Sequence, residues 1–281
     1  MDSVSTTHSR LPRRRVSDAV FFGTMGVLGG SYVLLIVTML AADAVYTTPG
    51  HIRDALLKPE IQYAIRLTLV SCSISAILSL WVATPLGYLL SRFRFPGRWL
   101  VDTLIDIPIV LPPLVLGLSL LILFHLRFGA FRLEDWLRKD VGFPVTYAVP
   151  GVILAQFSVA CAFAVRTMRS TFDEIDPRAE AVARTLGCSR WQAFFYVAFP
   201  QAWRGIVTAL TIAWARSLGE FGPILVFAGA TRGQTEVLST TVFLELSVGN
   251  LEASVAVSLL MVAMAVIVLV VLRALHAEPR S

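Results

Sequence analysis

The 281-residue sequence contains few charged side chains and very few cysteines. Charged residues make up 15% of the chain and hydrophobic residues 56%, whereas a soluble domain carries roughly 25% charged residues. The three cysteines, Cys72, Cys161 and Cys188, are scattered and form no disulfide pattern. We interpret them as small apolar side chains. The composition excludes an ordinary soluble domain and a disulfide-stapled secreted one.

The sequence also lacks the motifs of enzymes. Its four histidines, His8, His51, His125 and His276, lie far apart, and H-E-x-x-H, C-x-x-C and G-x-S-x-G are all absent. There is no Walker A loop for ATP. We therefore expect no catalytic residue, no metal site and no cofactor bound by this chain.

Long apolar runs fill most of the sequence instead. Each run approaches the ~20 residues that a helix needs to cross a bilayer, and none shows the short alternation of barrel strands. The sequence predicts an all-α membrane protein with six transmembrane helices, at about 19–42, 61–90, 101–126, 145–168, 205–229 and 251–273. The stretch Ala42–Ala44 looks like a signal-peptide cleavage site, but the apolar run before it exceeds the ~7–15 residues of a signal peptide. We expect an uncleaved first span.

The basic residues predict the orientation of these spans. Arginines cluster before the first span, after the second, around the segment after the fourth, and after the sixth, which places them all on one side. Both termini are therefore expected in the cytoplasm, as a basic tail at 1–18 and a short tail at 274–281. The net charge of +5 reflects these flanks, and no interleaving of basic and aromatic residues indicates nucleic-acid binding.

The third predicted span contains unusual residues for a membrane helix. An acid, three prolines and a glycine fall within twelve positions: Asp106, Pro108, Pro112, Pro113 and Gly117. Proline removes a backbone donor and clashes with the preceding turn, so this helix must be kinked or broken. Membranes tolerate such breaks where protein or a watery cavity satisfies the backbone. We interpret the break as part of a translocation path; a purely structural kink is the alternative.

The fifth predicted span carries an ionisable pair. Arg216 and Glu220 are four residues apart and so share one helix face. Charged groups at this depth are costly and usually face a cavity or each other. They either line or gate a path, together with Gly219 and Gly222, or they only neutralise each other.

The segment at about 173–203, between the fourth and fifth spans, has the pattern of a helix–turn–helix. Asp176 and Pro177 are start signals, and an apolar stripe then runs to Leu186. Gly187 is expected to end that helix, and Ser189 to cap a second helix that ends at Pro200. From its amphipathicity alone, an ordinary amphipathic loop lying on the membrane would be the favoured interpretation of this segment.

The run AEAVARTLGCSRWQAFFYVAFP at 179–200 resembles the EAA coupling loop of ABC-importer permeases. That loop places a glycine thirteen residues before a proline, as Gly187 and Pro200 are placed here, with Val197 and Phe199 before the proline. The family's acid falls six residues before the glycine, where this chain has Ala181, and Glu180 lies one residue earlier. The resemblance implies ATPase-coupling roles for Glu180, Ala183, Leu186, Gly187, Ser189, Phe194 and Pro200.

Two further runs narrow the resemblance. The runs LGEFG at 218–222 with FAG at 227–229, and PIVLPPLVLG at 108–117, look like the molybdate-type permeases of the oxyanion-importer group. They are shared in part with sulfate and tungstate permeases. The resemblance covers about residues 60–273 and makes Asp106, Pro108, Pro112, Pro113, Arg216, Gly219, Glu220 and Gly222 candidates for the path or gate.

The resemblance implies a type I ABC-importer permease fold and a set of partners. These are a cytoplasmic ABC ATPase dimer that uses ATP and Mg, an external substrate-binding protein, a second permease subunit, expected to be an identical copy, and the surrounding lipids. The expected cargo is molybdate or tungstate, with sulfate or thiosulfate as the alternative. An alternative function of another class is a secondary transporter that is driven by an ion gradient and coupled through Asp106 and Glu220. A third possibility is a membrane scaffold that transports nothing.

Overall fold

The computed structural model describes residues 14–128 and 131–276, and most of them lie in helices. The chain divides into two units between Thr48 and Pro49. The described part of the first unit is one helix, α1 (Arg14–Tyr46), with an apolar stretch from Val20 that is long enough to cross a bilayer. Of the predicted basic tail 1–18, residues 14–18 are helical and residues 1–13 lie outside the described part.

The second unit contains the remaining helices and two short strands. Two antiparallel strands of two residues each pair Arg127 with Arg132. In order, the elements are α2 (Pro49–Leu57), α3 (Pro59–Arg92), α4 (Arg98–Val110), α5 (Pro113–His125), β1 (Arg127–Phe128), β2 (Phe131–Arg132), α6 (Leu133–Lys139), α7 (Val149–Glu174), α8 (Pro177–Thr185), α9 (Arg190–Ala193), a π-helical turn (Phe194–Ala198), α10 (Phe199–Gln201), α11 (Trp203–Leu218), α12 (Gly222–Phe227), α13 (Leu238–Ser247) and α14 (Leu251–His276).

Helices α3, α7 and α11 pack against one another to form the core of this unit. Small residues bring their axes close together, as membrane helices require. A side chain at Gly87 of α3 would meet the backbone of Arg169 at 2.8 Å, and one at Gly205 of α11 would collide with Thr171 of α7. The hydroxyl of the fully buried Ser75 donates to the carbonyl of Ile153 across the α3–α7 contact, at 3.0 Å.

The break predicted in the third span lies at Leu111 and Pro112. The residue before a proline avoids the helical region, and Leu111 is extended, with φ −67° and ψ 141°. Pro112 is extended as well, and Pro113 starts α5 at the first helical position, where its missing N–H costs nothing. Helices α4 and α5 therefore meet at an angle of 114°. The kink expected from the sequence is confirmed as a full interruption.

The predicted fifth span, 205–229, is not one continuous helix. Helix α11 ends at Leu218, the chain turns through Gly219, Glu220 and Phe221, and α12 follows as a six-residue helix. Gly219 and Gly222 flank this turn. Because glycine has no side chain to pack and a freely moving backbone, these two residues do not favour an extension of α11. The correction matters because it places Glu220 in a turn, where its backbone is open to other contacts.

Four described helices are long and apolar enough to cross a membrane: parts of α1, α3, α7 and α14. The bent pair α4–α5 makes a fifth if it counts as one span. The fourth span begins at Val149 and ends at Glu174, a few residues later than predicted at both ends. Helix α14 reaches His276, into the predicted tail 274–281, whose last residues, 277–281, lie outside the described part.

Candidate functional site

Helix α8 is delimited by strong local signals at both ends. The carboxylate of Asp176 accepts a hydrogen bond from the N–H of Arg178 at 2.9 Å, which caps the helix start. At the other end Gly187 takes the left-handed conformation, with φ +95°. The N–H of Cys188 then donates to the carbonyl of Ala183 at 3.1 Å. This is the hydrogen bond that typically closes a helix ending at a glycine. The predicted turn at Gly187 is confirmed.

The second helix of the insert starts as predicted and continues differently. Ser189 and Gln192 exchange side-chain-to-backbone hydrogen bonds in a capping box. The helix then widens into the π-helical turn 194–198, and Pro200 lies inside the next helical turn, α10. The prediction that Pro200 ends this helix was wrong. A π turn shifts the hydrogen-bond register by one residue, and this relieves the clash that a proline makes in a regular helix.

The corner between the two helices presents apolar side chains to the outside. Leu186 is 80% exposed, Trp191 70%, Tyr196 75% and Val182 57%. Several large apolar side chains exposed on one short segment mark a candidate interaction surface. Leu186, Gly187 and Ser189 lie on this corner, as predicted. We call residues 182–196 the corner from here on.

Other predicted coupling residues face inward. Glu180 is 8% exposed and forms an ion pair with Arg92 at the end of α3. The ring of Phe194 packs edge-on against Tyr88, with centroids 4.7 Å apart, and also contacts Phe172 of α7. Ala183 is half-buried, and Pro200 is exposed at the far end of the insert. The insert thus has an exposed corner and an anchored base.

Six of the eight predicted path residues line one cavity of about 280 Å³, which lies between the two interrupted regions. It is also lined by Leu114 and Phe221. The six residues come from two segments that are far apart in the chain, at 112–113 and 216–222. The breaks at Leu111–Pro112 and Gly219–Phe221 bring these two segments together. The six residues are Pro112, Pro113, Arg216, Gly219, Glu220 and Gly222.

One cation and one carboxylate provide the charge in this cavity. A guanidinium nitrogen of Arg216 lies 3.4 Å from a carboxylate oxygen of Glu220, whose side chain is 1% exposed. The guanidinium carbon also lies 5.5 Å from the centre of the Phe163 ring, which favours a cation. The single, long contact to Glu220 leaves other donors of Arg216 available on its exposed side. The N-terminal end of α5, which favours anions, opens on the same cavity.

Close backbone approach holds the two breaks together. A side chain at Gly117 of α5 would lie 2.8 Å from the Cα of Pro223, and one at Gly222 would lie 3.0 Å from the nitrogen of Leu114. The hydroxyl of Ser239 donates to the carbonyl of Glu220 at 2.7 Å and fixes the turn from the other side. Glycine at these positions is therefore a packing requirement.

Asp106 and Pro108 do not line this cavity. Both lie in α4, on the other side of the break, and Asp106 forms an ion pair with Arg166 of α7. One turn earlier, Asp102 pairs with Arg169 of the same helix. These two pairs fasten α4 to α7. The interpretation of Asp106 as a path residue remains a prediction.

Local sequence patterns did not indicate several of these partners. Arg92 and Tyr88 lie about ninety positions from Glu180, and nothing in their local pattern distinguishes them from other residues at a membrane edge. The pairing of Asp102 with Arg169 was missed for the same reason. The i, i+4 periodicity of Asp102 and Asp106 shows that they share a helix face, which was the one clue available.

Comparison with known proteins identifies the family. Residues 83–280 match the family described as a binding-protein-dependent transport system inner membrane component. The chain belongs to this family. It is therefore a multi-pass protein of the prokaryotic inner membrane, and the EAA-like insert agrees with this membership.

Several relatives of this permease carry names that refer to oxyanions. The chain is 34% identical to the sulfate transport permease CysT of Escherichia coli, over 77% of this chain and 76% of that protein. It is 35% identical to the molybdenum transport permease ModB of Escherichia coli, over 67% of this chain and 80% of that protein. It is 33% identical to the molybdate/tungstate permease WtpB of Thermococcus kodakarensis, over 76% and 78%.

Solved structures show the same fold at lower identity. A bacterial ABC transporter that imports alginate matches with a TM-score of 0.72 and 17% identity, over 94% of this permease and 97% of that chain. The methionine transporter MetNI matches with a TM-score of 0.60 and 19% identity, over 78% of this permease and 97% of that chain. The helical architecture is thus that of ABC-importer permeases.

Proposed function

We propose that this permease is the membrane-spanning subunit of an ATP-driven importer for a tetrahedral oxyanion, with molybdate or tungstate as its cargo. The observation that carries the proposal is the similarity, at 33–35% identity, to permeases named for sulfate, molybdenum and molybdate/tungstate transport. Sulfate is a second candidate with equal support, because CysT is as similar as ModB. The three anions share charge and shape.

The cavity at the two breaks suits such an anion. Arg216 and the N-terminal end of α5 both favour negative charge there. Glu220 offsets the charge of Arg216 when no anion is present, which keeps the cost of an unpaired cation in the membrane low. We propose that an anion in transit contacts the exposed side of Arg216 and leaves the pair with Glu220 in place.

We propose that the corner docks on a cytoplasmic ATPase dimer. Closure of that dimer would displace Gly187 and its neighbours and turn the helices around the breaks, which gives access alternately to each side of the membrane. ATP and Mg belong to the ATPase, and this chain binds no cofactor. An external substrate-binding protein would deliver the anion, and a second, identical permease would complete the path.

We also propose six crossings with both termini in the cytoplasm. Four helices and the bent pair α4–α5 account for five of them. The sixth is the interrupted segment α11–α12, which spans 203–227. Broken crossings of this kind are tolerated where the free backbone groups line a cavity.

An ion-gradient-driven transporter is the candidate of another class. It needs intramembrane acids that gain and lose protons or bind cations. Here Asp106 forms an ion pair with Arg166 and Glu220 forms one with Arg216, so an arginine already occupies the position beside each acid that a transported cation would need. This arrangement favours the ATP-driven function.

Uptake of labelled molybdate tests the proposal. Cells with and without this gene are compared, in the presence of excess unlabelled tungstate or sulfate. We expect that uptake is lost on deletion and is blocked by tungstate but not by sulfate. Equal competition by sulfate would assign the permease to sulfate, and uptake that survives dissipation of the ion gradient but not depletion of ATP would reject the secondary transporter.

The Arg216→Gln variant tests the cavity in the same assay. We expect at least about tenfold lower uptake, because a charge-assisted contact to the anion is lost. Arg138→Gln, on α6 and away from this cavity, is the matched control and should retain uptake. Wild-type uptake by Arg216→Gln would remove this cavity from the path.

A further inference from the structure

The side chain of Glu180 points away from the exposed corner. It lies on α8, in the same insert as Leu186 and Trp191, yet it is 8% exposed while those two are 80% and 70% exposed. A residue that contacts a separate protein has to be accessible before that protein binds. Glu180 instead faces the cytoplasmic end of α3, within this chain.

Both oxygens of this carboxylate are occupied by side chains of α3. The Nε of Arg92 donates to Oε1 of Glu180 at 2.9 Å, and the hydroxyl of Tyr88 donates to Oε2 at 2.6 Å. A terminal nitrogen of Arg92 also donates to the carbonyl of Ile175 at 2.8 Å. One arginine thus joins the last turn of α3 both to α8 and to the turn that precedes α8.

Few other contacts join α8 to α3 at this point. A cavity of about 190 Å³ lies between α8, α9 and the end of α3, with Arg184 and Ala181 in its lining. Side chains are therefore not closely packed around the ion pair, and the polar contacts bridge the gap. The edge-on contact of Tyr88 with Phe194 supports the same junction from the second helix of the insert.

We infer that the Glu180–Arg92 ion pair is a mechanical link that carries movement of the corner into α3, and that Glu180 positions the insert and does not contact the ATPase. The inference rests on the proposed function of the corner as the ATPase docking surface. Since α3 packs along α7 through small residues such as Gly87, a push on α8 reaches both core helices. A buried ion pair with both oxygens bonded is stiff, because neither partner can move alone without exposing a bare charge to a poorly hydrated site.

The test separates transmission from docking. The variants Glu180→Gln and Arg92→Gln, and the double variant, are reconstituted in vesicles with the ATPase and loaded binding protein. Labelled molybdate uptake, or sulfate if the wild type carries sulfate, is measured per ATP hydrolysed, together with the amount of ATPase that co-purifies. Arg94→Gln removes a neighbouring exposed arginine and is the matched control.

We expect both single variants to co-purify the ATPase as the wild type does and to lower uptake per ATP by at least about fivefold. The double variant should be no worse than either single one, because the two residues act as one unit. Tyr88→Phe removes one hydrogen bond and leaves the ion pair. It should give a smaller loss, and it keeps the test open if the other variants fold poorly.

Three results would overturn the inference. The first is loss of ATPase co-purification in Glu180→Gln but not in Arg92→Gln, which would make Glu180 a docking residue. The second is unchanged uptake per ATP in all variants, and the third is additive effects of the two single changes. A wild-type chain that neither co-purifies an ATPase nor takes up the anion would instead reject the proposed function.

Discussion

At the scale of single residues, the buried carboxylates of this permease differ in whether a partner stabilises their charge. Glu180 and Glu220 each face an arginine, and Glu245 contacts Arg232 at 2.8 Å. Glu236 is 1% exposed, and within the described ranges 14–128 and 131–276 neither of its carboxylate oxygens has a hydrogen-bond partner. A buried carboxylate without a partner favours its neutral form. The folded chain therefore binds a proton at Glu236 more tightly than the unfolded chain does.

A pH dependence of stability follows from Glu236. Burial raises the pKa of this carboxyl, and the nearby side chains of Thr241 and Arg232 oppose the shift only in part. Because the folded state binds the proton more tightly than the unfolded state, stability falls as pH rises above the unfolded pKa and through the folded one. We expect Glu236→Gln to raise the melting temperature of the purified protein at pH 8 by roughly 2–4 °C.

The same change should have a smaller effect at pH 5, because the stability lost through the raised pKa of Glu236 accumulates only as pH rises above the unfolded pKa. Thermal unfolding in detergent at the two pH values is the measurement. Glu174→Gln, on an exposed acid of α7, is the control and should shift the two melting temperatures equally. A destabilising effect of Glu236→Gln at pH 8 would mean that the carboxylate is charged and bound to a partner.

A charge at Gly187 should disconnect the permease from its ATPase. Gly187→Asp places a carboxylate at the apex of the apolar corner, where φ is +95°, and aspartate tolerates that conformation at a cost of about 1 kcal/mol. We expect uptake and ATPase co-purification to be abolished while membrane insertion is normal. The readouts are uptake, affinity purification and the amount of protein in the membrane fraction.

Gln201→Asp is the matched control for this prediction. Gln201 is exposed in the same insert, so the change adds the same charge away from the corner. It should retain most uptake and all ATPase binding. Full uptake by Gly187→Asp would show that the corner is not the docking surface.

At the scale of the elements, the interruptions carry more information than the helices. Helices α5 and α12 meet where Gly117 faces Pro223, and their aromatic contact between Phe124 and Phe227 has ring centroids 5.1 Å apart. The turn of Glu220 is fixed between these helices and α13. The cavity thus depends on the fit of α5 against α12.

A larger side chain at Gly117 should separate these two helices. Gly117→Leu would bring a Cβ to 2.8 Å from the Cα of Pro223, and backbone atoms cannot move aside as a flexible side chain can. We expect a loss of roughly 1–3 kcal/mol in stability and a strong loss of uptake. Thermal unfolding and uptake are compared with Ser119→Leu, an exposed position of the same helix that should behave as wild type. An unchanged melting temperature would contradict the packing of α5 on α12.

The sequence predicted those features of the elements that local chemistry determines. The break at Leu111–Pro112 follows from consecutive prolines, the end of α8 from Gly187, and the start of α9 from Ser189. The continuity of the fifth span and the helix end at Pro200 were predicted wrongly, because a π turn and a glycine-flanked turn depend on what packs against them.

At the scale of the whole molecule, contacts between distant segments assemble what the local patterns leave apart. Glu180 with Arg92 and Asp102 with Arg169 join residues that are more than sixty positions apart. Composition and periodicity do not identify such pairs. Six of the eight residues that line the cavity had been named as path candidates from the resemblance and the costly residue types, but their assembly in one place required the fold.

The topology gives a prediction for the molecule as a whole. In a chain with Cys188 replaced by serine, a single cysteine is placed at Asp140 or at Arg94. We expect Asp140→Cys to react with a membrane-impermeant maleimide on intact spheroplasts, and Arg94→Cys only after the membrane is opened. The remaining Cys72 is fully buried and Cys161 is partly buried, and the parent chain without added cysteines measures their background. Labelling of both positions from the outside would reject the six-crossing topology.

The bend between α4 and α5 makes this pair of helices a two-armed lever. Each arm has 13 residues, which at 1.5 Å per residue gives a length of about 20 Å. One arm is bound to α7 through Asp102 and Asp106, and the other bears on α12 at the cavity. By this geometry, turning the pair about its corner by ~10° moves the far end of each arm by about 3 Å. A small shift of α7 would thus be redirected through 114° and delivered to the wall of the cavity.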